Sequence, residues 1–172
     1  MLSSAVSTKG FCIHRKGCST VFWIPPHELE LELTESMLIQ DSERVIKIIS
    51  ELKALGIKLS IDDFGTSYSN MAYLKRFAFD KLKIDRSFIK TLANSENDQA
   101  IVQAIITLAH NFNLKAIAEG VEDCSTANLL SKYGCDEIQG YLFSKPLCEK
   151  HFLAWLGAQQ IDKPTIEITS SR

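Results

Sequence analysis

The chain has no apolar run of the roughly 18–20 residues that a membrane-crossing helix needs, so insertion of this chain into a membrane is not expected. It also lacks an excess of positive charge: 19 Lys and Arg stand against 21 Asp and Glu, for a net charge of −2. Without a basic stripe to neutralise a phosphate backbone, duplex nucleic acid is excluded as a partner. A signal-peptide core is missing too, because His14, Arg15 and Lys16 interrupt the apolar residues near the N-terminus. The five cysteines are odd in number and show no disulfide-framework spacing, which fits a reducing, cytoplasmic setting. Cys12, His14 and Cys18 do not have the spacing of a standard zinc finger. What is present is an ordinary globular composition, 45% apolar, with enough length to bury one core.

The most informative residues are Asp62 and Asp63, adjacent at the end of the apolar run Ile57-Lys58-Leu59-Ser60-Ile61 and followed by Phe64-Gly65. Two neighbouring carboxylates at the exit of a buried strand raise each other's pKa, and a bound cation is the usual compensation. Hard divalent ions such as Mg²⁺ or Mn²⁺ prefer carboxylate oxygens. Taken alone, the pair fits equally well a polar loop in which one Asp caps a turn and the other is solvated.

The surrounding pattern is repetitive. A strand-like run, Leu29 to Leu33, leads to a helix starting near Asp41 or Ser42, with Val45, Ile48, Ile49, Leu52 and Leu55 as its apolar stripe and Gly56 as its stop. The strand 57–61 follows, then a short helical stretch from Met71 to Phe77 and the alternating run Lys81 to Asp85. A long helix opens near Asp98, with Ile101, Val102, Ile105, Leu108 and Phe112 on one face, and Asn113 ends it before the strand Leu114–Ala118. A helix from Ser125 to Tyr133, a strand from Glu137 to Tyr141 and a helix from Glu149 to Leu156 complete the series. Strand alternating with helix predicts parallel strands and an α/β fold.

Glu32 and Glu35, Asp62 and Asp63, Lys83 and Asp85, Glu119 and Glu122, and Gln139 all fall at or just beyond the C-terminal ends of successive strands. In a parallel barrel, that end is where side chains from different strands converge on one site. Any one of them could be a solvated strand end, but five strand ends in register point to a metal-and-phosphate cluster.

Those motifs, Glu32-Leu33-Thr34-Glu35-Ser36, Asp62-Asp63-Phe64-Gly65-Thr66, Lys83-Ile84-Asp85-Arg86-Ser87-Phe88, Ala118-Glu119-Gly120-Val121-Glu122 and Gln139-Gly140-Tyr141-Leu142-Phe143, occur in order. Together they resemble the motif series of the EAL domain family, bacterial phosphodiesterases of cyclic di-GMP. The resemblance runs from about Ile24 to about Leu156 and implies a TIM (β/α)8-barrel fold. It further implies that Glu32, Asp62, Asp63 and Glu119 are metal ligands, with Asp62 bridging two Mg²⁺ or Mn²⁺ ions. By the same resemblance, Lys83 is the catalytic lysine, Glu35 anchors the loop after Asp63, and Glu122 and Gln139 position water. The implied product is linear pGpG, and metal-bound water with a nearby lysine is chemistry suited to that hydrolysis.

The chain also departs from that family. It contains no Glu-Ala-Leu segment, which carries a further ligand Glu and precedes a substrate-contacting Arg, and the residues before Ile24 contain no Asn to serve as the family's Asn ligand. After Gly65 the family's second Gly is replaced by Ser67, and Asn70-Met71 stands where Ser-Leu is common. At 172 residues the chain is short for a closed barrel of ~250 residues. The expected organisation is therefore an unrelated or irregular segment 1–23, a partial EAL domain 24–158 with about five parallel strands, and a flexible tail 159–172. A truncated or frameshifted coding region would account for this, as would a split fold that covers its open edges by homodimerisation. Two functions follow: a cyclic di-GMP phosphodiesterase, or a catalytically inactive relic that binds cyclic di-GMP or another protein.

Overall fold

The computed structural model describes residues 3–7, 10–14, 22–34, 42–65 and 72–159. Contacts divide the chain into two compact units, Met1–Leu142 and Phe143–Arg172.

The first unit contains two sheets. Within the segment 1–24, β1 (Ser3–Ser7), β2 (Gly10–His14) and β3 (Phe22–Ile24) pair antiparallel in that order. These runs are three to five residues long, too short for alternation to announce them in the sequence. The second sheet is the expected one: β4 (Glu30–Thr34), β5 (Lys58–Phe64), β6 (Lys81–Ile84), β7 (Lys115–Glu119) and β8 (Glu137–Gln139), all parallel and in chain order. Among the described residues the sheet is open, with β4 and β8 at its edges. Its crossovers carry α1 (Ser42–Ala54), α2 (Ala72–Arg76), α3 (Arg86–Lys90) with α4 (Glu96–Asn111), and α5 (Cys124–Lys132). The fold is α/β, a partial barrel of the TIM type.

Alternation along the strands sorts their side chains. Leu59 and Ile61 of β5, Leu82 and Ile84 of β6, and Ala116 and Ala118 of β7 are all buried in one cluster with Ile49, Ile89, Val102, Ile105, Ile106 and Ala109 from the helices. The alternate positions, Glu30 and Glu32, Ser60 and Asp62, Lys81 and Lys83, Ile117 and Glu119, and Glu137 and Gln139, share the opposite, inward face. Helix faces differ slightly from the sequence pattern: Ile48 and Ile101 are exposed at 46% and 39%, while Ile106 and Ala109 take the buried positions on α4. A 3.6-residue period leaves such boundary residues undecided until the neighbouring strand fixes the rotation of the helix.

Two stretches of this sheet are built alike. After α1 the chain turns through Gly56 (φ 86), and after α4 through Asn113 (φ 58), the left-handed conformation that ends helices. Gly56 N–H donates to Lys53 O and Ile57 N–H to Leu52 O; Asn113 N–H donates to His110 O and Leu114 N–H to Ala109 O. Each following strand is then clamped at its start by an Asp from just before the next strand. Asp80 accepts the Leu59 N–H at 2.8 Å and the Lys53 ammonium at 2.7 Å. Asp136 accepts the Ala116 N–H at 2.8 Å and lies 2.8 Å from His110 Nε2. Burial works against the Asp136 carboxylate, but these contacts and nearby Lys115 hold its pKa below the usual range.

The second unit contains α6 (Glu149–Gln159), longer than the sequence reading by its last turn. Phe152 is 46% exposed and stacks on Trp155 at 6.2 Å between ring centroids. No helix among the described residues is long and apolar enough to cross a membrane.

Candidate functional site

β5 brings Asp62 and Asp63 to the rim of the inward face, and it does so through an irregularity. Its register with β6 shifts between Ile61 and Phe64, and Asp63 sits at φ 56. Without that break, period-2 alternation would send adjacent residues to opposite faces. A left-handed non-glycine residue costs on the order of 1 kcal/mol, and such strain gathers at functional positions. In step along the matching stretch, Asp62 corresponds to Glu119 and left-handed Asp63 to left-handed Gly120 (φ 71).

Lys83, on β6 at the centre of the sheet, reaches into these acids. Its ammonium lies 2.5 Å from Glu119 Oε1, 2.6 Å from Glu32 Oε1 and 3.1 Å from Asp62 Oδ1. The lysine side chain is 5% exposed, Glu119 and Asp62 about one-fifth, and Glu32 one-half. Burial disfavours the ammonium, yet its close contacts with the Glu119, Glu32 and Asp62 carboxylates outweigh it and hold the Lys83 pKa above the ordinary lysine range. Burial pushes the Glu119 carboxyl up; Lys83 opposes this, while Asp62 and Glu32 reinforce it. Asp63 is also raised, by desolvation first and then by Asp62 and Asp85.

Asp62, Asp63 and Glu119 each offer a carboxylate oxygen, and these atoms lie within 4.8 Å of one another. Asp62 Oδ1 is buried and makes no aligned hydrogen bond, although it faces Lys83. An all-carboxylate donor set with an under-coordinated buried oxygen fits a hard divalent cation. Glu32 adjoins this set through Lys83.

A cavity of about 230 Å³ opens beside the cluster, lined by Arg86, Glu119, Glu122, Gln139 and Tyr141 together with Gly120 and Gly140. Its floor depends on the two glycines. A Cβ at Gly120 would fall 2.8 Å from Arg86 Cβ, and one at Gly140 would fall 2.1 Å from Val121 O. Val121 N–H donates to Gln139 O and Leu142 N–H to Val121 O, so the chain folds around Val121 and fixes Gln139 at the rim.

The structure thus brings together Glu32, Asp62, Asp63, Lys83 and Glu119, and sets Glu122 and Gln139 on the adjoining cavity. Glu35 lies outside the described residues, as do Ser67, Asn70 and Met71, and no side chain is described for Cys12, His14 or Cys18. Sequence reasoning gave no role to Arg86 or Tyr141, although both stand inside the quoted motifs. It also missed α3, which Asp85 initiates by accepting the Ser87 N–H at 2.9 Å.

Parallel strands whose C-terminal ends gather acids around one buried lysine define a catalytic-face site of the β/α-barrel class. A family model described as EAL domain matches residues 11–146. The chain belongs to the EAL domain family. It is 44% identical over 131 residues to the bifunctional diguanylate cyclase/cyclic di-GMP phosphodiesterase MucR of Pseudomonas aeruginosa, covering 76% of this chain and 19% of that protein. It is 49% identical over 119 residues to the cyclic di-GMP phosphodiesterase NbdA of the same organism, covering 69% and 15%. The solved MucR phosphodiesterase in complex with c-di-GMP superposes with a TM-score of 0.71 at 43% identity, over 75% of this chain and 52% of that one. Klebsiella pneumoniae BlrP1, solved with manganese and cyclic di-GMP, gives 0.67 at 34% identity, over 72% and 31%. The chain therefore spans about a fifth of the length of these curated relatives.

Proposed function

We propose that this chain acts on cyclic di-GMP as a divalent-cation-dependent phosphodiesterase, opening the cyclic dinucleotide to linear pGpG. The observation that carries the reading is Lys83 buried among Glu32, Asp62 and Glu119, with Asp63 completing the acid set. Glu32, Asp62, Asp63 and Glu119 would hold Mg²⁺ or Mn²⁺. A divalent cation bound there would lower the pKa of a water and offset the charge of the phosphodiester oxygens. Lys83 adds a fixed positive charge where negative charge builds on the phosphoryl group. Gln139 and Glu122, on the rim of the neighbouring cavity, orient water and the leaving oxygen, and Glu35 anchors the loop after Asp63. The reading extends to a cytoplasmic location, consistent with unpaired Cys124, Cys135 and Cys148, and to a second copy of the chain covering the open β4 and β8 edges.

A second reading is supported by that same sheet, open among the described residues: a module that binds the dinucleotide without turning it over. Incubation of the chain with cyclic di-GMP and Mn²⁺ or Mg²⁺, with molar mass measured on the same sample, separates the two. Linear pGpG that disappears in Lys83→Ala supports the enzyme. A folded sample that binds the dinucleotide and leaves it intact overturns that reading in favour of the binding module.

A further inference from the structure

Beneath the acid–lysine cluster the inward face carries a second ion layer. Lys81 Nζ lies 3.0 Å from Glu30 Oε2 and 2.8 Å from Glu137 Oε2. Its side chain is 17% exposed, against 28% for Glu30 and 37% for Glu137, so both contacts are partly shielded from solvent. Glu30 stands on β4 and Glu137 on β8, the two edge strands, whereas Lys81 stands on β6 in the middle. One lysine can touch both edges from the centre only if the sheet is curled until its edges approach each other across the concave side. Lys115 also meets Glu137, at 3.3 Å, but it is 62% exposed.

In a closed barrel, hydrogen bonding around the ring imposes that curl. Among the described residues nothing joins β4 to β8 by backbone pairing, so the curl needs another restraint. The second layer is in the right place to supply it. Glu32 is the next inward position after Glu30 on β4, and Gln139 the next after Glu137 on β8. A cavity of about 410 Å³ spans both layers, lined by Glu30, Glu32, Lys81, Lys83, Glu137 and Gln139. Flattening the sheet would carry Glu32 away from Lys83 and Gln139 away from the rim, while leaving every strand intact.

We propose that Lys81 is a positioning residue for the cation site, a clasp between β4 and β8 that keeps Glu32 and Gln139 gathered around Asp62, Asp63 and Glu119. The proposal rests on the reading of that cluster as a divalent-cation site. Among the described residues Lys81 pairs with Glu30 and Glu137 rather than with the acids of the cluster, and it acts through those two.

The test uses the full chain carrying Lys81→Met with Glu137→Gln. The pair removes one positive and one negative charge, so the net field on the cation is nearly preserved while the clasp is broken. Mn²⁺ alone is the probe, titrated by the loss of the free-ion paramagnetic resonance signal, with hydrogen exchange of the β4 and β8 amides followed on the same protein. The expected result is about tenfold weaker Mn²⁺ binding, the scale on which supporting groups around metal ligands act, with faster exchange in β4 and β8 than in α4. Lys81→Arg, which retains both contacts, should restore both readings. Unchanged Mn²⁺ affinity in the double variant overturns the proposal, and so does weakened affinity with unchanged edge-strand exchange. If the double variant does not fold, Lys81→Gln gives the same two readings on a milder change. If the unaltered chain takes up no Mn²⁺, the cation reading fails, and exchange in β4 and β8 alone decides whether the clasp exists.

Discussion

Replacing Lys83 with Met keeps most of the side-chain volume and removes only the charge, leaving Glu32, Asp62 and Glu119 without their shared partner. Breaking a buried ion pair from one side costs about 3–5 kcal/mol, because the abandoned charge stays desolvated. Here the abandoned acids are not fully buried: Asp62 and Glu119 are about one-fifth exposed and Glu32 half exposed. Water screens the last of these, so the loss should fall to about 2–3 kcal/mol. A divalent cation replaces the missing charge. At a concentration of 100 times its dissociation constant it returns about 2.7 kcal/mol to the folded state. Lys83→Met saturated with Mn²⁺ should therefore match the cation-free parent in stability.

Urea unfolding followed by circular dichroism, with chelator and with Mn²⁺, reads this directly. For a domain of this size, with slopes of about 1–3 kcal/mol per molar urea, the expected midpoint shift is about 1 M or more. A loss below about 0.5 kcal/mol in chelator would be no more than an ordinary surface substitution gives and would refute Lys83 as the counter-charge. An equal loss with and without Mn²⁺ would refute the idea that ammonium and cation answer the same carboxylates.

Four other substitutions follow from the structure. Asp63→Gly relieves a left-handed non-glycine residue, so stability in chelator should hold or rise by up to about 1 kcal/mol while Mn²⁺ uptake falls sharply in a titration. Gly140→Ala forces a Cβ onto the Val121 backbone at 2.1–2.4 Å and should cost about 3 kcal/mol in urea melts; Gly157→Ala, with nothing within 4 Å in α6, should be neutral or gain up to about 1 kcal/mol. Asp123 caps α5 by accepting from the Ser125 hydroxyl and from the Thr126 N–H and hydroxyl, which together pull its pKa from 3.8 to about 2. Its folded value is depressed, so its contribution is fully present above the unfolded value near 4 and is lost as pH falls through about 2. In melts from pH 5 to pH 2, Asp123→Asn should flatten that part of the acid dependence, and an unchanged slope would count against the cap.

The parts of this architecture that obey local periodicity were legible in the chain. Gly56 and Asn113 mark helix ends, the apolar runs that follow them are strands, and the acids following those runs break the alternation where the candidate site lies. Strand–helix alternation implies parallel strands, whereas the chain-order arrangement β4 to β8 was implied only by the resemblance to a barrel family, because doubly wound sheets share the same alternation. Side-chain partners across strands were not legible, because they depend on stagger and curl. Lys81 reads in sequence as one charge in an alternating run, and only the approach of β4 and β8 makes it a bridge to Glu30 and Glu137. The cavity beside Gln139 likewise depends on how closely Gly140 meets Val121, a contact between segments that pattern does not relate.

The two ends of the parallel sheet divide stability from chemistry. At the strand starts, Asp80 meets a backbone amide and the Lys53 ammonium, and Asp136 a backbone amide and the His110 imidazole, so each carboxylate has partners within the fold. At the strand ends, Asp62 and Glu119 occupy the corresponding later positions, but one lysine must answer both together with Glu32. Asp63 adds a further carboxylate and a strained backbone. The same β–α framework thus produces satisfied acids on one side and crowded ones on the other. On the proposed reading, that crowding would give the second side an affinity for added positive charge, with the clamps at the strand starts letting the fold tolerate it.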